Sequence, residues 1–135
     1  MPAPPHLAWL VDPGAPLKTA DGKSVRVLEL RHQKDEAVLR AWARHFRNQY
    51  CDDGQIDALR SGTGLSRAEY LRTIKFPDQT DPPGPSIRSG DFAEVLVADY
   101  VEFALGFWVP RTRYNNKTVR NESTKGSDCI GFMCV

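Results

Sequence analysis

A ten-residue run in the middle of the chain, FPDQTDPPGP at 76–85, constrains the fold more than any other segment. It holds four prolines and one glycine. Proline lacks a backbone N–H, and it also disfavours helical geometry in the residue that precedes it. Regular secondary structure is therefore not expected in this run. We predict a linker at 76–87 that separates two folded parts of the chain.

The segments on either side of the linker differ in character. Residues 1–24 contain five of the ten prolines and show little periodicity, which predicts an irregular Pro-rich arm. Residues 25–75 predict a mainly helical N-terminal part, and residues 88–135 predict a second folded part. The chain of 135 residues has the length of one ordinary domain, and the linker marks a subdomain boundary within it.

Helical signals dominate the segment before the linker. Val25 to Leu30 alternates apolar and polar residues and predicts a short strand. An apolar stripe from Asp35 to about Tyr50 predicts an amphipathic helix of about four turns. A short helix is predicted at 54–61, and a capping box predicts another helix at 66–74.

The segment after the linker predicts one long helix and then extended chain. Ser89 is a favoured helix N-cap, and the apolar pattern runs from there to Leu105 before Gly106 ends it. The apolar surface of this helix is wide, so we expect most of it to be buried. Strands are predicted at about 107–114 and over the apolar residues 129–135.

The charges of the chain are balanced overall but clustered locally. Lys and Arg number 18 and Asp and Glu number 17, so the formal net charge is +1. This balance excludes a strongly basic protein that coats nucleic acid. A local basic patch nevertheless surrounds Tyr114, and it consists of Arg111, Arg113, Lys117, Arg120 and Lys125. The patch predicts contacts to nucleic-acid phosphates, and a solvated edge hairpin is the alternative.

Several classes of protein are disfavoured by the remaining composition. The longest apolar run, Val95 to Ala98, is far too short to cross a bilayer, and the N-terminus lacks the basic region of a signal peptide. These features predict a cytoplasmic protein. The three cysteines and three histidines do not have the spacing of a disulfide framework or a structural zinc site.

Two carboxylates occur in unusual surroundings. Glu94 lies within the apolar helix, where an unpaired carboxylate is costly to bury, and Asp128 stands at the entry to the apolar strand. In the simplest interpretation Glu94 and Asp99 occupy a narrow solvent-facing stripe of the helix, and Asp128 is a turn residue. In the alternative, the helix and the strand bring Glu94 and Asp128 together as ligands of a hard divalent cation. Mg²⁺ uses one or two carboxylates together with water and phosphate oxygens.

The order of elements resembles the core of the PD-(D/E)XK nucleases. More closely, the segments Gly90-Asp91-Phe92-Ala93-Glu94 and Gly126-Ser127-Asp128 are similar to motifs of the C-terminal domain of the HamA family, which belongs to the Hachiman anti-phage defence system. The resemblance implies an α+β fold, in which a helical N-terminal part precedes the first helix and the β-hairpin of an incomplete nuclease core at 88–135.

The same resemblance implies a function and a site. Glu94 and Asp128 would be the catalytic metal ligands for Mg²⁺ or Mn²⁺, the substrate would be nucleic acid, most simply DNA, and the partner would be a helicase of the HamB type. The five basic residues of the patch would hold the nucleic acid. The complete protein would hydrolyse phosphodiester bonds.

The sequence departs from the family pattern at its C-terminal end. A third core strand with an acidic residue and a lysine is expected after residue 135, so we expect a truncated, split or degenerate protein that is inactive as an isolated chain. The competing interpretation is a non-catalytic interaction module. In that case the helix at 35–50 and the aromatic segment Phe107-Trp108-Val109 would dock a helicase or another defence partner.

Overall fold

The computed structural model describes residues 1–111, 114, 119–122 and 129–135. Helices and short antiparallel sheets are both present, which confirms the predicted α+β class. The chain separates into two compact units, residues 1–42 and residues 43–135. Among the described residues, no helix is long and apolar enough to cross a membrane.

The first unit is built from short strands and stacked rings. A 3₁₀ turn at Pro5–Trp9 leads into β1 (Leu10–Val11), which pairs antiparallel with β4 (Glu29–Leu30). The strands β2 (Leu17–Lys18) and β3 (Ser24–Val25) form a second antiparallel pair. The sequence predicts one strand at 25–30 and irregular chain before it. Strands of two residues are too short for alternation to reveal them, which explains the difference.

Aromatic rings form the buried centre of the first unit. The imidazole of His6 stacks on the indole of Trp42, with centroids 4.5 Å apart and planes inclined by 5°. Trp9 meets Trp42 edge-on at 5.9 Å. All three side chains are buried. These rings hold together a unit whose sheets have only two short strands each.

The predicted amphipathic helix is confirmed as α1 (Glu36–Tyr50), which crosses the division between the units. Asp35 caps it, because its Oδ1 accepts hydrogen bonds from the backbone N–H groups of Ala37 and Val38.

Two short helices follow α1, and the predicted capping box is present in the second. They are α2 (Ile56–Leu59) and α3 (Arg67–Tyr70). The Ser66 hydroxyl accepts a hydrogen bond from the Glu69 N–H, and the Glu69 carboxylate accepts one from the Ser66 N–H. The helix continues as a π-helical turn at Leu71–Lys75.

The long helix α4 (Gly84–Asp99) begins inside the proline-rich run, five residues before the predicted start at Ser89. Pro85 is tolerated in its first turn because the N–H groups there have no partner within the helix. Ser89 therefore does not cap the helix, and its hydroxyl donates to the carbonyl of Pro85 one turn earlier. A π-helical turn at Tyr100–Ala104 extends α4.

The burial of α4 differs from the prediction that most of its apolar surface is buried. Its buried positions include Asp91, Val95 and Asp99, while Phe92 and Val97 are exposed at 37% and 53%. The interpretation that places Asp99 on a solvent-facing stripe is wrong, since this side chain is 0% exposed. Helical periodicity shows which residues share a face but not which face packs inward.

The second unit has two apolar clusters that share the partly buried ring of Phe76. One is formed by buried residues that follow α1, namely Cys51, Ile56, Tyr70 and Leu71. The other joins three elements through Tyr50, Val95 and Tyr114. The second cluster lies beside the carboxylates of α4.

The described part of the predicted hairpin contains one isolated antiparallel bridge, between Trp108 and Phe132. Each of the two residues donates its N–H to the carbonyl of the other, at 2.7 and 2.8 Å. Gly131 lies so close to Phe107 that a Cβ added there would come within 2.9 Å of the Phe107 Cβ. The C-terminal segment thus packs directly against the chain that follows α4.

Candidate functional site

Four acidic residues lie along α4 and its π-helical extension, and each has a partner in the second unit. We call them the α4 carboxylates, and they are Asp91, Glu94, Asp99 and Glu102. Burying a carboxylate costs free energy unless hydrogen bonds or opposite charges compensate it. The partners of these four residues therefore define the chemistry of this region.

Asp91 is held by a tyrosine from α1. The hydroxyl of Tyr50 donates to Asp91 Oδ2 at 2.6 Å, and both side chains are buried. Burial, followed by the hydrogen bond to Asp91, raises the pKa of Tyr50 far above its ordinary value. Tyr50 consequently stays protonated and remains a donor to Asp91.

Glu94, the predicted metal ligand on the helix, is held in a similar way. The hydroxyl of Tyr114 donates to Glu94 Oε2 at 2.5 Å. Tyr114 is buried and Glu94 is half-buried. The rings of Tyr114 and Tyr50 lie 5.3 Å apart at a tilt of 41°, so the two tyrosines pack side by side beneath two carboxylates.

Asp99 lies in the most heavily charged part of the region. Its Oδ1 is 2.7 Å from Nε2 of His45 and 2.8 Å from Nη1 of Arg111. The Arg111 Nε also donates to Glu102 at 2.8 Å, and its Nη2 makes a further close contact with the same carboxylate. One arginine thus bridges two of the α4 carboxylates and offsets the burial of Asp99.

Of the two predicted metal ligands, Glu94 lies within the described residues and Asp128 does not. Asp128 lies outside the described residues, so the structure provides no distance between it and Glu94. In the described parts of the chain, no three His, Cys, Asp or Glu side chains are grouped as metal ligands. Glu94 itself is a suitable ligand for Mg²⁺ or Mn²⁺, because these ions prefer carboxylate oxygens and because a hydrogen bond from Tyr114 orients this carboxylate.

Two members of the predicted basic patch are described, and both have acidic partners. Arg111 is paired with Asp99 and Glu102, as above. Arg120 lies 3.0 Å from Asp78 and also donates to the carbonyls of Arg72 and Phe76. The other three, Arg113, Lys117 and Lys125, lie outside the described residues.

The loop before α4 is organised by Asp78. Its Oδ1 accepts hydrogen bonds from the N–H groups of Asp81 and Thr80, at 2.8 and 2.9 Å. These bonds, with Arg120 nearby, lower the pKa of Asp78 to about 2. Asp78 is therefore a fixed negative charge at neutral pH, and its interactions hold the loop in place.

Comparison with known families identifies the chain. The family model of HamA matches residues 5–134. The chain belongs to the HamA family. This membership connects it with Hachiman anti-phage defence and confirms the resemblance noted from the motifs after the linker. The match also includes almost all of the first unit, for which we found no HamA motif in the sequence. No curated protein and no solved structure matches.

Several residues of this HamA site are not predicted by sequence reasoning. Only the structure shows that Asp91 and Asp99 are buried. It also shows that their partners are Tyr50 and His45. One signal was available, because Asp91, Val95 and Asp99 are spaced four residues apart and share a helix face. The partner of each acid is on another element, and sequence spacing does not reveal such a pairing.

Proposed function

We propose that the chain forms part of a metal-dependent nuclease of Hachiman defence, in which Glu94 and Asp128 hold Mg²⁺ or Mn²⁺. The observation that carries this proposal is the Tyr114–Glu94 hydrogen bond, within a chain that belongs to the HamA family. A carboxylate ligand needs a fixed orientation, and a hydroxyl donor from a buried tyrosine supplies it.

Each residue of the proposed metal site has a different role. A bound Mg²⁺ or Mn²⁺ would supply a polarised water and would stabilise negative charge on phosphate oxygens. Glu94 presents an oxygen ligand from a rigid helix, and Tyr114 fixes the rotamer of that ligand. Asp128 supplies a second carboxylate, and the basic patch holds the phosphates of the substrate, for which DNA is the first choice.

Metal binding tests the proposed ligands directly. We expect Mn²⁺ to bind the chain in a calorimetric titration, with a large loss of affinity in Glu94→Gln and in Asp128→Asn. The control is Asp81→Asn, which removes an exposed carboxylate that lies outside the proposed site. Unchanged Mn²⁺ affinity in both ligand variants would contradict the proposed site.

Cleavage assays test the activity. With Mg²⁺ or Mn²⁺, we expect the isolated chain to leave plasmid and single-stranded DNA intact. We expect a longer product of the same reading frame, if it carries a strand with an acidic residue and a lysine, to cleave DNA. Glu94→Ala should abolish that cleavage. Cleavage by the longer product that survives both Glu94→Ala and Asp128→Ala would exclude these residues as catalytic ligands.

A specific surface favours a second candidate function, the docking of a helicase partner. The bridged residues Trp108 and Phe132 are 64% and 55% exposed, and their rings lie 5.6 Å apart. Exposed aromatic side chains of this kind are typical binding anchors. Trp108→Ser should weaken binding to a purified helicase of the HamB type, whereas Leu59→Ser, at an exposed leucine of α2, should not.

A further inference from the structure

A cleft runs past the N-terminal half of α4, on the second unit. It consists of two cavities of about 800 and 500 Å³ that share Gln79 and Arg88, and we call it the Arg88 cleft. Each cavity is large enough to hold a nucleotide. The side chains that matter for the argument are Phe46, Arg72, Asp78, Arg88, Ser89 and Phe92.

One stripe of α4 forms a wall of this cleft. Pro85, Arg88, Ser89 and Phe92 all line it, at the i, i+3, i+4 and i+7 positions that share a helix face. Phe92 is 37% exposed, and its ring lies 5.6 Å from the ring of Phe46. The wall therefore offers an accessible aromatic surface next to a guanidinium and a hydroxyl.

Arg88 differs from the other arginines of this region. Its guanidinium lies over the ring of Phe76, 5.9 Å from the centroid, and it is half-buried. Arg111 and Arg120 each contact a carboxylate, but within the described residues Arg88 makes no ion pair. A half-buried cation with no ion pair in the described part of the chain favours an anionic ligand, and guanidinium groups bind phosphate in a bidentate manner.

The charges around the cleft also favour an anion. The exposed Arg72 lines the smaller cavity and adds a second positive charge. Asp78 is the carboxylate in that lining, and it is already paired with Arg120 and hydrogen-bonded to two backbone N–H groups. The lining of the cleft therefore carries two arginines and one carboxylate, although the chain as a whole is almost neutral.

The Arg88 cleft is separate from the proposed metal site. Phe92 and Glu94 are two residues apart on a helix, which places them about 200° apart around its axis. A ligand against Phe92 thus lies on the opposite side of α4 from Glu94. The cleft can bind its ligand whether or not Glu94 and Asp128 hold a metal ion.

We infer that the Arg88 cleft binds a nucleotide unit, with its base against the rings of Phe92 and Phe46 and its phosphate at Arg88. Aromatic side chains stack on any base, and arginine supplies the phosphate contact, which together are the means by which proteins bind single strands without sequence preference. The same chemistry suits a free nucleotide or one residue of a single-stranded nucleic acid.

Binding of a labelled probe to the full chain tests the inference. Fluorescence anisotropy would follow a fluorescein-labelled twelve-residue oligothymidylate at low salt with EDTA, so that metal chemistry is absent. Loss of one stacked base costs about fivefold or more in affinity. We therefore expect at least this loss in Phe92→Leu and a larger one in Arg88→Gln. Phe92→Trp should retain binding because it retains the aromatic surface.

Matched controls separate the cleft from general charge and from the metal site. Arg44→Gln removes one exposed positive charge of α1 that does not line the cleft, and it should leave the affinity unchanged. EDTA keeps metal away from the proposed metal site in every variant, so failure of that site would leave this test intact. Equal losses in Arg44→Gln and Arg88→Gln, or no loss in Phe92→Leu, would overturn the inference.

Competition by thymidine monophosphate distinguishes the two sources of the ligand. If the site serves a strand, the monophosphate should compete only at concentrations far above those of the unlabelled oligonucleotide. If it serves a free nucleotide, the monophosphate should compete equally well and its binding should show the same losses in the two cleft variants. If neither the oligonucleotide nor the monophosphate binds to the natural chain, the proposed site is refuted.

Discussion

Tyr114 donates its hydroxyl hydrogen to Glu94 Oε2 at 2.5 Å, and this contact connects two elements that are separated by twenty residues. The ring of Tyr114 is buried against Tyr50, whose own hydroxyl is bound to Asp91. Because both tyrosines are packed, neither hydroxyl is free to turn away from its carboxylate. The orientation of Glu94 is thus set by the core.

Removal of the Tyr114 hydroxyl should weaken metal binding more than it weakens the fold. Tyr114→Phe leaves the ring in place but removes the hydroxyl that donates to the Glu94 carboxylate, and loss of such an orienting partner costs about 10–100-fold in metal affinity. Calorimetric titration with Mn²⁺ would measure it. Tyr70→Phe, at a buried tyrosine of the other apolar cluster, is the control and should bind Mn²⁺ normally. Equal affinities in the two variants would show that Tyr114 does not orient a ligand.

Stability should fall at alkaline pH because of Tyr50. An unfolded tyrosine loses its proton near pH 10, whereas burial and Asp91 raise the pKa of Tyr50 in the folded chain. Above about pH 10 the unfolded state therefore binds fewer protons, and the free energy of unfolding decreases as pH rises. One such group contributes up to about 1.4 kcal/mol per pH unit.

Urea unfolding of the natural chain and Tyr50→Phe between pH 8 and 11 would measure this effect. At pH 8 the variant should be less stable by about 1.5–3 kcal/mol, since it loses a hydrogen bond to a carboxylate. The difference should shrink above pH 10. A constant difference across the series would show that Tyr50 has no raised pKa.

Asp78 should make the folded chain less stable as the pH falls into the acid range. Hydrogen bonds from the Asp81 and Thr80 N–H groups, and then Arg120, lower its pKa to about 2. Its contribution is present above the ordinary pKa of aspartate and is lost as pH falls towards 2. Asp78→Asn should therefore have a lower melting temperature than the natural chain at pH 7, and the gap should narrow between pH 4 and 2. A gap of constant size from pH 7 to pH 2 would contradict the lowered pKa of Asp78.

Local signals in the sequence predicted most of the helices and part of the site. The capping box at Ser66 and the apolar stripe of α1 depend on neighbouring residues, and both are present in the structure. Glu94 was singled out because an acid in an apolar helix needs a partner, and Tyr114 is that partner. The capping box and the apolar stripe follow from chemistry within a few turns of chain, whereas the pairing of Glu94 with Tyr114 spans twenty residues.

The errors arose where tertiary contacts outweigh local preference. Prolines at 82–85 predicted a linker, but Pro83 and Pro85 fit the start of a helix, where missing N–H groups cost nothing. The wide apolar surface of α4 predicted that this surface is buried. In the structure, the face that carries Asp91 and Asp99 packs inward, against Tyr50 and Arg111. Helical periodicity does not show which of two faces packs against residues from elsewhere in the chain.

The start of α4 offers a paired test of packing, since two glycines lie in the same helix in different surroundings. A Cβ added at Gly84 would come within 2.5 Å of the carbonyl oxygen of Asp78, whereas one added at Gly90 meets nothing within 4 Å. Gly84→Ala forces the loop at Asp78 away from the helix and should cost about 1–3 kcal/mol. Gly90→Ala should instead add about 0.5–1 kcal/mol, because alanine is the better helix former.

Chemical unfolding of the two variants would measure this contrast, and binding to the Arg88 cleft would extend it. The loop that Gly84 contacts contributes Gln79 to both cavities. Gly84→Ala should therefore weaken binding of the oligothymidylate probe even at temperatures where the variant is fully folded. Gly90→Ala should bind it normally, since its position is exposed and does not line the cleft. If both variants gain stability, the close approach of α4 to the Asp78 loop is not rigid, and the cleft has no fixed wall on that side.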